Sequence, residues 1–309
     1  MMKRSHVLAS SLIVVAVSVV ALGVATGNAQ APGASQAPTP AAAPAAQAPA
    51  GPGNNPAPLP AALTSCPELA AAVRTVAASD SRNRDWPNLA RYREVNRSVG
   101  PVDVVFMGDS ITDFWRLEEA FPGQPYVNRG ISGQTTPQML VRMYPDVIDL
   151  KPGVVVLLAG TNDIAQNTGP MTPEMIEQNI MAMTELAQHH GIKVVLCATL
   201  PVSDYPFQAQ VPQSATTGRG GQVRQRMTPG RPPADILKMN SWMKNYAARV
   251  NVVYADYHSA MVDEKGWLKN GLSEDGLHPN AEGYKIMAPI VSAAIQQALK
   301  KGAQKLLFR

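Results

Sequence analysis

Residues 102–112 read VDVVFMGDSIT, an apolar and β-branched run that stops at a glycine, an acid and a serine. A run of that length and composition fits a strand covered on both faces of a parallel sheet. Working outward, similar short runs recur at 126–128, 153–159, 192–199 and 250–255. Helical-length segments separate them near 135–149, 172–190, 235–249 and 280–300. Strand alternating with helix predicts an α/β domain built on one parallel sheet with helices on both faces. One helix is well punctuated: Thr172 caps its start, Pro173 suits the first turn, Glu174 faces the positive dipole end and Gly191 follows the close. His189 and His190 fall in its last turn, where imidazoles meet the final carbonyls rather than a metal.

The chain has 309 residues, 45% of them hydrophobic, enough for one large domain with a full core. Lys3 and Arg4 precede an uncharged apolar stretch at 7–24, and Ala29-Gln30-Ala31 follows, the pattern of a secretory signal cut near Ala29 or Ala31. The expectation is a periplasmic or secreted protein; an uncleaved anchor is the alternative, because 18 apolar residues just span a bilayer. Residues 30–63 hold nine Pro, thirteen Ala and no charge, a composition that builds a spacer and not a core. The expected organisation is therefore a signal at 1–29, a Pro/Ala-rich disordered linker at 30–65 and one domain at 66–309. Removing Lys3 and Arg4 takes the net charge from +4 to +2, which gives no argument for nucleic acid. The basic groups at Arg219 to Arg231 and at Lys300, Lys301, Lys305 and Arg309 read as solvated charge. Cys66 and Cys197 leave one disulfide open, although Cys197 in IKVVLCATL reads as a buried strand residue.

Right-handed crossovers bring the loops after strand C-termini to one sheet edge, where such folds hold their ligands. Those loops read MGDSIT, RGISGQT, AGTNDI, TLPVSDY and, after a helical interval, EDGLHPN. A serine hydroxyl is a poor nucleophile unless a base takes its proton, and histidine serves when a carboxylate fixes its tautomer. His6 lies in the signal segment and His258 follows the fifth strand, whereas His278 stands three residues after Asp275 in DGLHP. Asp275 is thus within local reach of Nδ1, with Nε2 free to face Ser110. Gly133 N–H, the Asn162 amide and Ser110 N–H are candidate donors to an oxyanion. Each residue also has a plain turn reading: positive φ for Gly130 and Gly133, an Asx turn for Asn162 and Asp163, and a local backbone bond for Asp275. Those readings leave the joint placement unexplained. Gly108 is expected to turn the chain off the strand, with Thr112 or Asp113 starting the next helix.

Gly108-Asp109-Ser110, Gly133 in NRGISGQT, Asn162 in GTND and Asp275/His278 in DGLHP resemble the four blocks of the SGNH, or GDSL-type, serine esterase superfamily. The resemblance spans roughly residues 85–300, with the blocks in the family's order. It implies a three-layer αβα sandwich with a five-stranded parallel, flavodoxin-like sheet, and hydrolysis through an acyl-serine. It also implies Ser110 as nucleophile and donor, Gly133 and Asn162 as the other oxyanion donors, His278 as base then acid, and Asp275 as orienter. No metal or cofactor is implied, and Asp109 would be a structural neighbour. By the same analogy the substrate is a short-chain acyl ester, acetyl groups on carbohydrate foremost. Other readings are a lysophospholipase or arylesterase, an acetyltransferase, or a non-catalytic envelope carbohydrate-binding module. A membrane partner enters only if 7–24 is retained. Residues 208–233, with no acidic residue, read as a disordered segment, the sharper alternative being a mobile cover that brings Arg219 or Arg224 to an anionic or carbohydrate substrate; Trp115 and Tyr205 read as packing residues by default, with lining of the site as the alternative.

Overall fold

The computed structural model describes residues 85–208 and 226–306. The readings on the signal, the linker, Cys66, Arg219 and Arg224 lie outside the described residues. The described elements run α1 (Arg93–Ser98), β1 (Val104–Gly108), α2 (Ser110–Asp113), α3 (Leu117–Ala120), β2 (Tyr126–Gly130), α4 (Thr136–Asp146), a 3-10 turn (Ile148–Leu150), β3 (Val154–Leu158) and α5 (Thr161–Ile164). There follow α6 (Pro173–His189), β4 (Lys193–Cys197), α7 (Tyr205–Gln208), α8 (Pro233–Arg249), β5 (Val253–Ala255), α9 (Tyr257–Met261) and α10 (Ala281–Leu306).

The strands form one parallel sheet in the order β2-β1-β3-β4-β5. Side chains alternate between its two faces because the strand period is two. Val105, Met107, Val155, Leu157, Val194 and Leu196 pack with residues of α4, α6 and α8. Val104, Phe106, Val154, Val156, Val195 and Cys197 pack on the other face against α9 and α10. Burying each large aliphatic side chain contributes about 1.5–3 kcal/mol, so neither layer of helices is dispensable. The result is the expected αβα sandwich.

Local chemistry sets the element ends. Thr172 caps α6 by accepting from Met175 N–H, with Pro173 in the first turn, and Gly191 closes the helix at φ +76. His190 does not use its ring on the last carbonyls: its Nε2 lies 3.2 Å from the Tyr144 hydroxyl. Thr135 and Gln138 form a capping box at the start of α4. α4 runs through Pro145 and ends at Asp146, where Val147 leaves helical geometry at φ −129, so the expected segment 135–149 is a helix followed by a separate 3-10 turn. The expected strand at 250–255 is shorter, because Val250 N–H still bonds Tyr246 O and Asn251 turns left-handed at φ 57 before β5 begins. Arg142, fully buried, pairs with Asp146 at 2.8 Å and donates to Arg129 O at 3.0 Å, anchoring α4 to the end of β2.

Candidate active site

Ser110 opens α2 directly after β1. Gly108 does not turn the chain, contrary to the sequence reading; it sits at the end of the strand and allows close packing. A Cβ there would meet Thr112 Oγ1 at 2.1 Å and Leu158 O at 2.9 Å. Nor do Thr112 or Asp113 start the helix. Asp109 caps it, its Oδ1 accepting from Ile111 N–H at 2.9 Å. Asp113 instead pairs with Arg91 at 2.6 Å and accepts from Ser132 Oγ at 2.6 Å and Ser132 N–H at 3.1 Å, joining the β1 and β2 loops. Tyr284 of α10 donates to Ile111 O at 2.7 Å, so the serine's helix is held from both sides.

His278 Nε2 lies 2.8 Å from Ser110 Oγ, across 168 residues of chain. Its Nδ1 lies 2.6 Å from Asp275 Oδ2. Asp275 Oδ1 accepts from Leu277 N–H at 2.9 Å, His278 N–H at 2.8 Å and Ser273 Oγ at 3.0 Å. The local backbone turn and the carboxylate–imidazole contact are therefore one arrangement. Burial pushes the Asp275 carboxyl upward, but the His278 ring and the two backbone N–H groups outweigh it and hold the group well below the usual carboxylate range. It stays ionised wherever the imidazole works. His258 sits on α9, half-buried, and is not the partner of Ser110.

Gly133, at φ +80, occupies a turn closed by Gln134 N–H to Ile131 O at 3.3 Å. Gly130 keeps an extended conformation, and its lack of a Cβ serves close approach instead: that atom would meet Asp113 N at 2.2 Å. Asn162 lies on α5 and donates from Nδ2 to Gln134 O at 3.0 Å, which ties the β3 loop to the Gly133 turn. Asp163 beside it accepts from Thr136 N–H at 2.9 Å and Thr136 Oγ1 at 2.6 Å. Neighbouring strand-end loops are thus stitched pairwise around the edge that carries Ser110.

The model of the GDSL-like Lipase/Acylhydrolase family matches residues 106–286, more than half of the chain. The chain belongs to this family. It is 34% identical to a GDSL-like lipase of known structure from Bacteroides thetaiotaomicron, with a TM-score of 0.59 over 69% of this chain and 98% of that one. Among sequence relatives it is 30% identical over 122 residues to the Bacillus subtilis (strain 168) lipoprotein YqeF, covering 33% of this chain and 50% of that one. It is 25% identical over 232 residues to an acetylxylan esterase of Xylanibacter ruminicola, covering 63% of this chain and 43% of that one. The chain spans half or less of the length of these two relatives. Residues 106–286 make up a GDSL-like lipase/acylhydrolase domain, a carboxylic ester hydrolase.

Several residues of this GDSL-like domain escape a reading by motif. Arg231, grouped by sequence with solvated charge, is partly buried and donates to Thr161 Oγ1 at 3.1 Å and Asn162 Oδ1 at 3.2 Å. Arg226 likewise is committed, pairing at 2.9 Å with the buried Asp204. Only the proline pair after Arg231, which fixes the chain as it enters α8, hints at a fixed role. Trp115 is 2% exposed and packs among Phe106, Phe121, Tyr257 and Tyr284, so it belongs to the core. Tyr205 donates to Asp263 Oδ2 at 2.5 Å and meets Trp267 edge-on. Phe114, unremarked in the sequence, is 54% exposed with its ring centroid 5.1 Å from that of His278.

Asp109 is buried beside the nucleophile, and its Oδ2 has no hydrogen-bond partner among the described residues. Burial raises its pKa to about 7, against the smaller opposing pull of Ile111 N–H and of His278. The fold therefore holds this proton up to about pH 7 while the unfolded chain releases it near 3.8. Between those values the native state binds more protons, so wild-type stability falls as pH rises through the window. Asp109→Asn keeps the cap acceptor and loses the titration. We expect it to gain on the order of 4 kcal/mol over wild type from pH 4 to pH 8, since the cost of a buried amide N–H is the same at both pH values and drops out of the change. Urea unfolding at the two pH values checks this, and a pH-independent difference contradicts it.

Proposed function

We propose that this chain hydrolyses short acyl esters, acetyl groups on carbohydrate foremost, through an acyl-serine. The hydrogen-bonded series Ser110–His278–Asp275 carries the reading. His278 Nε2 takes the Ser110 proton as Oγ attacks the ester carbonyl. The oxyanion accepts from Ser110 N–H, Gly133 N–H and Asn162 Nδ2, each donor worth on the order of 10²–10³ in turnover. His278 then gives its proton to the departing alkoxide, and in a second half-reaction it activates water to release the acid. Asp275 keeps Nδ1 protonated throughout and stabilises the imidazolium.

The acetylxylan esterase relative supports acetylated saccharide as substrate. Phe114 supports it as well, offering an exposed apolar face beside the imidazole for a sugar ring or a short acyl chain. The basic and apolar start of the sequence, with the lipoprotein relative, supports action outside the cytoplasm. The test is a series of p-nitrophenyl acetate, butyrate and octanoate together with acetylated xylo-oligosaccharide. Acetyl or butyryl is expected to be the best acyl group. Phe114→Ala is expected to raise KM for the saccharide about three- to tenfold, the scale of one lost aromatic contact. Preference for octanoate, or an unchanged saccharide KM in Phe114→Ala, would count against this substrate.

A further inference from the structure

Asn162 has one acceptor atom and two N–H groups. The guanidinium of Arg231 donates to Oδ1, and one Nδ2–H goes to Gln134 O. Guanidinium has no acceptor and a carbonyl has no donor, so the two partners permit a single orientation of the amide. Because they grip opposite atoms of one planar group, they also fix its plane. One N–H is left unspent for a ligand. The guanidinium is itself held: Nε donates to Thr161 Oγ1 at 3.1 Å and Nη1 lies 3.9 Å from Met227 Sδ, while the backbone N–H of Arg231 donates to Met227 O at 3.1 Å.

We propose that Arg231 is a positioning residue for the oxyanion hole, which locks the Asn162 amide and polarises it toward the developing negative charge. The inference rests on the esterase reading above. A cation on Oδ1 draws electron density from the amide and makes the remaining Nδ2–H a stronger donor. It also puts a fixed positive charge one amide away from the oxyanion, where a group already oriented costs no reorganisation. Arg231 lies within electrostatic reach of Asp275 and Asp109, so the same charge offsets the Asp275 carboxylate, and Asp109 when it ionises. Lysine is no substitute, because a point charge cannot serve Thr161 and Asn162 together in a fixed fork.

The experiment is a double-mutant cycle on p-nitrophenyl acetate with wild type, Arg231→Met, Asn162→Ala and the pair. Arg231→Met is expected to lower kcat about tenfold or more with KM within about twofold, and to cost less than about twofold once Asn162 is alanine. Thr161→Val, which frees the guanidinium without removing it, is expected to reproduce part of the kcat loss; it keeps the proposal testable if Arg231→Met does not fold. A KM effect without a kcat effect would make Arg231 a substrate contact and overturn the proposal. So would an equal loss in the Asn162→Ala background, or no loss in either variant. A wild type that is inert to esters and to a serine-directed phosphonate would overturn the esterase reading, and this role with it. An active wild type with an indifferent Arg231 overturns the role alone.

Discussion

His278→Ala is expected to lower kcat for p-nitrophenyl acetate by about 10⁴-fold or more, leaving KM nearly unchanged. Among the described residues, the imidazole is the one base hydrogen-bonded to Ser110 Oγ, at 2.8 Å. Without it the hydroxyl must lose its proton to water, and a serine alcohol at neutral pH is a poor nucleophile. The ring is partly buried, but Leu277 and His278 N–H groups still hold Asp275 without it, so the fold should survive its removal at a modest cost in stability. Nucleophile and base act as a unit, and the losses in Ser110→Ala, His278→Ala and the double variant should therefore be nearly equal. Steady-state kinetics with a stability measurement on each protein checks this. A loss below tenfold, or additive losses, contradicts it.

Asp275→Asn should cost about 10⁴-fold in kcat, for a reason visible in the loop. Asp275 uses one oxygen for Leu277 and His278 N–H groups and the other for His278 Nδ1. An amide has a single acceptor oxygen. If that oxygen keeps the backbone bonds, the NH₂ faces Nδ1 and drives the ring proton to Nε2, where it confronts Ser110 and no proton can be accepted. If the amide turns over, two backbone N–H groups meet an N–H donor and the turn opens. Stability moves in the same direction. A carboxyl held below its ordinary range stabilises the fold above its unfolded pKa, near 3.8, and that contribution fades as pH falls through the native value. Asp275→Asn should thus be less stable than wild type at pH 7, and the gap should narrow in acid. A variant retaining more than a tenth of wild-type kcat would contradict the tautomer argument.

The sheet was legible because its strands are covered on both faces. Runs such as VVFMG and VVVLL need no polar alternation, and their β-branched residues separate them from helices of similar hydrophobicity. Ser110 and Asn162 were placed by the rule that strand-end loops of a parallel sheet share one edge, and the Asp275/His278 pair, on the loop between α9 and α10, by its three-residue spacing. The one-turn helices α2, α3, α5 and α9 are too short for periodicity to mark them. The error over Gly108 and Gly130 has a physical source: absence of a side chain serves close packing as readily as positive φ, and sequence does not separate the two. Trp115 and Phe114 show the same limit, since of these two neighbours just after α2 one is in the core and the other faces outward. Arg231 was missed because its partners, Thr161 and Asn162, are some 70 positions away in sequence and meet it only through the fold.

Reaction of the full chain with a fluorophosphonate, followed by intact mass and peptide mapping, tests the central claim most directly. One adduct per chain is expected, on Ser110, formed much more slowly in His278→Ala and absent in Ser110→Ala. An unmodified wild-type chain, or an adduct on another residue with Ser110 untouched, would contradict it.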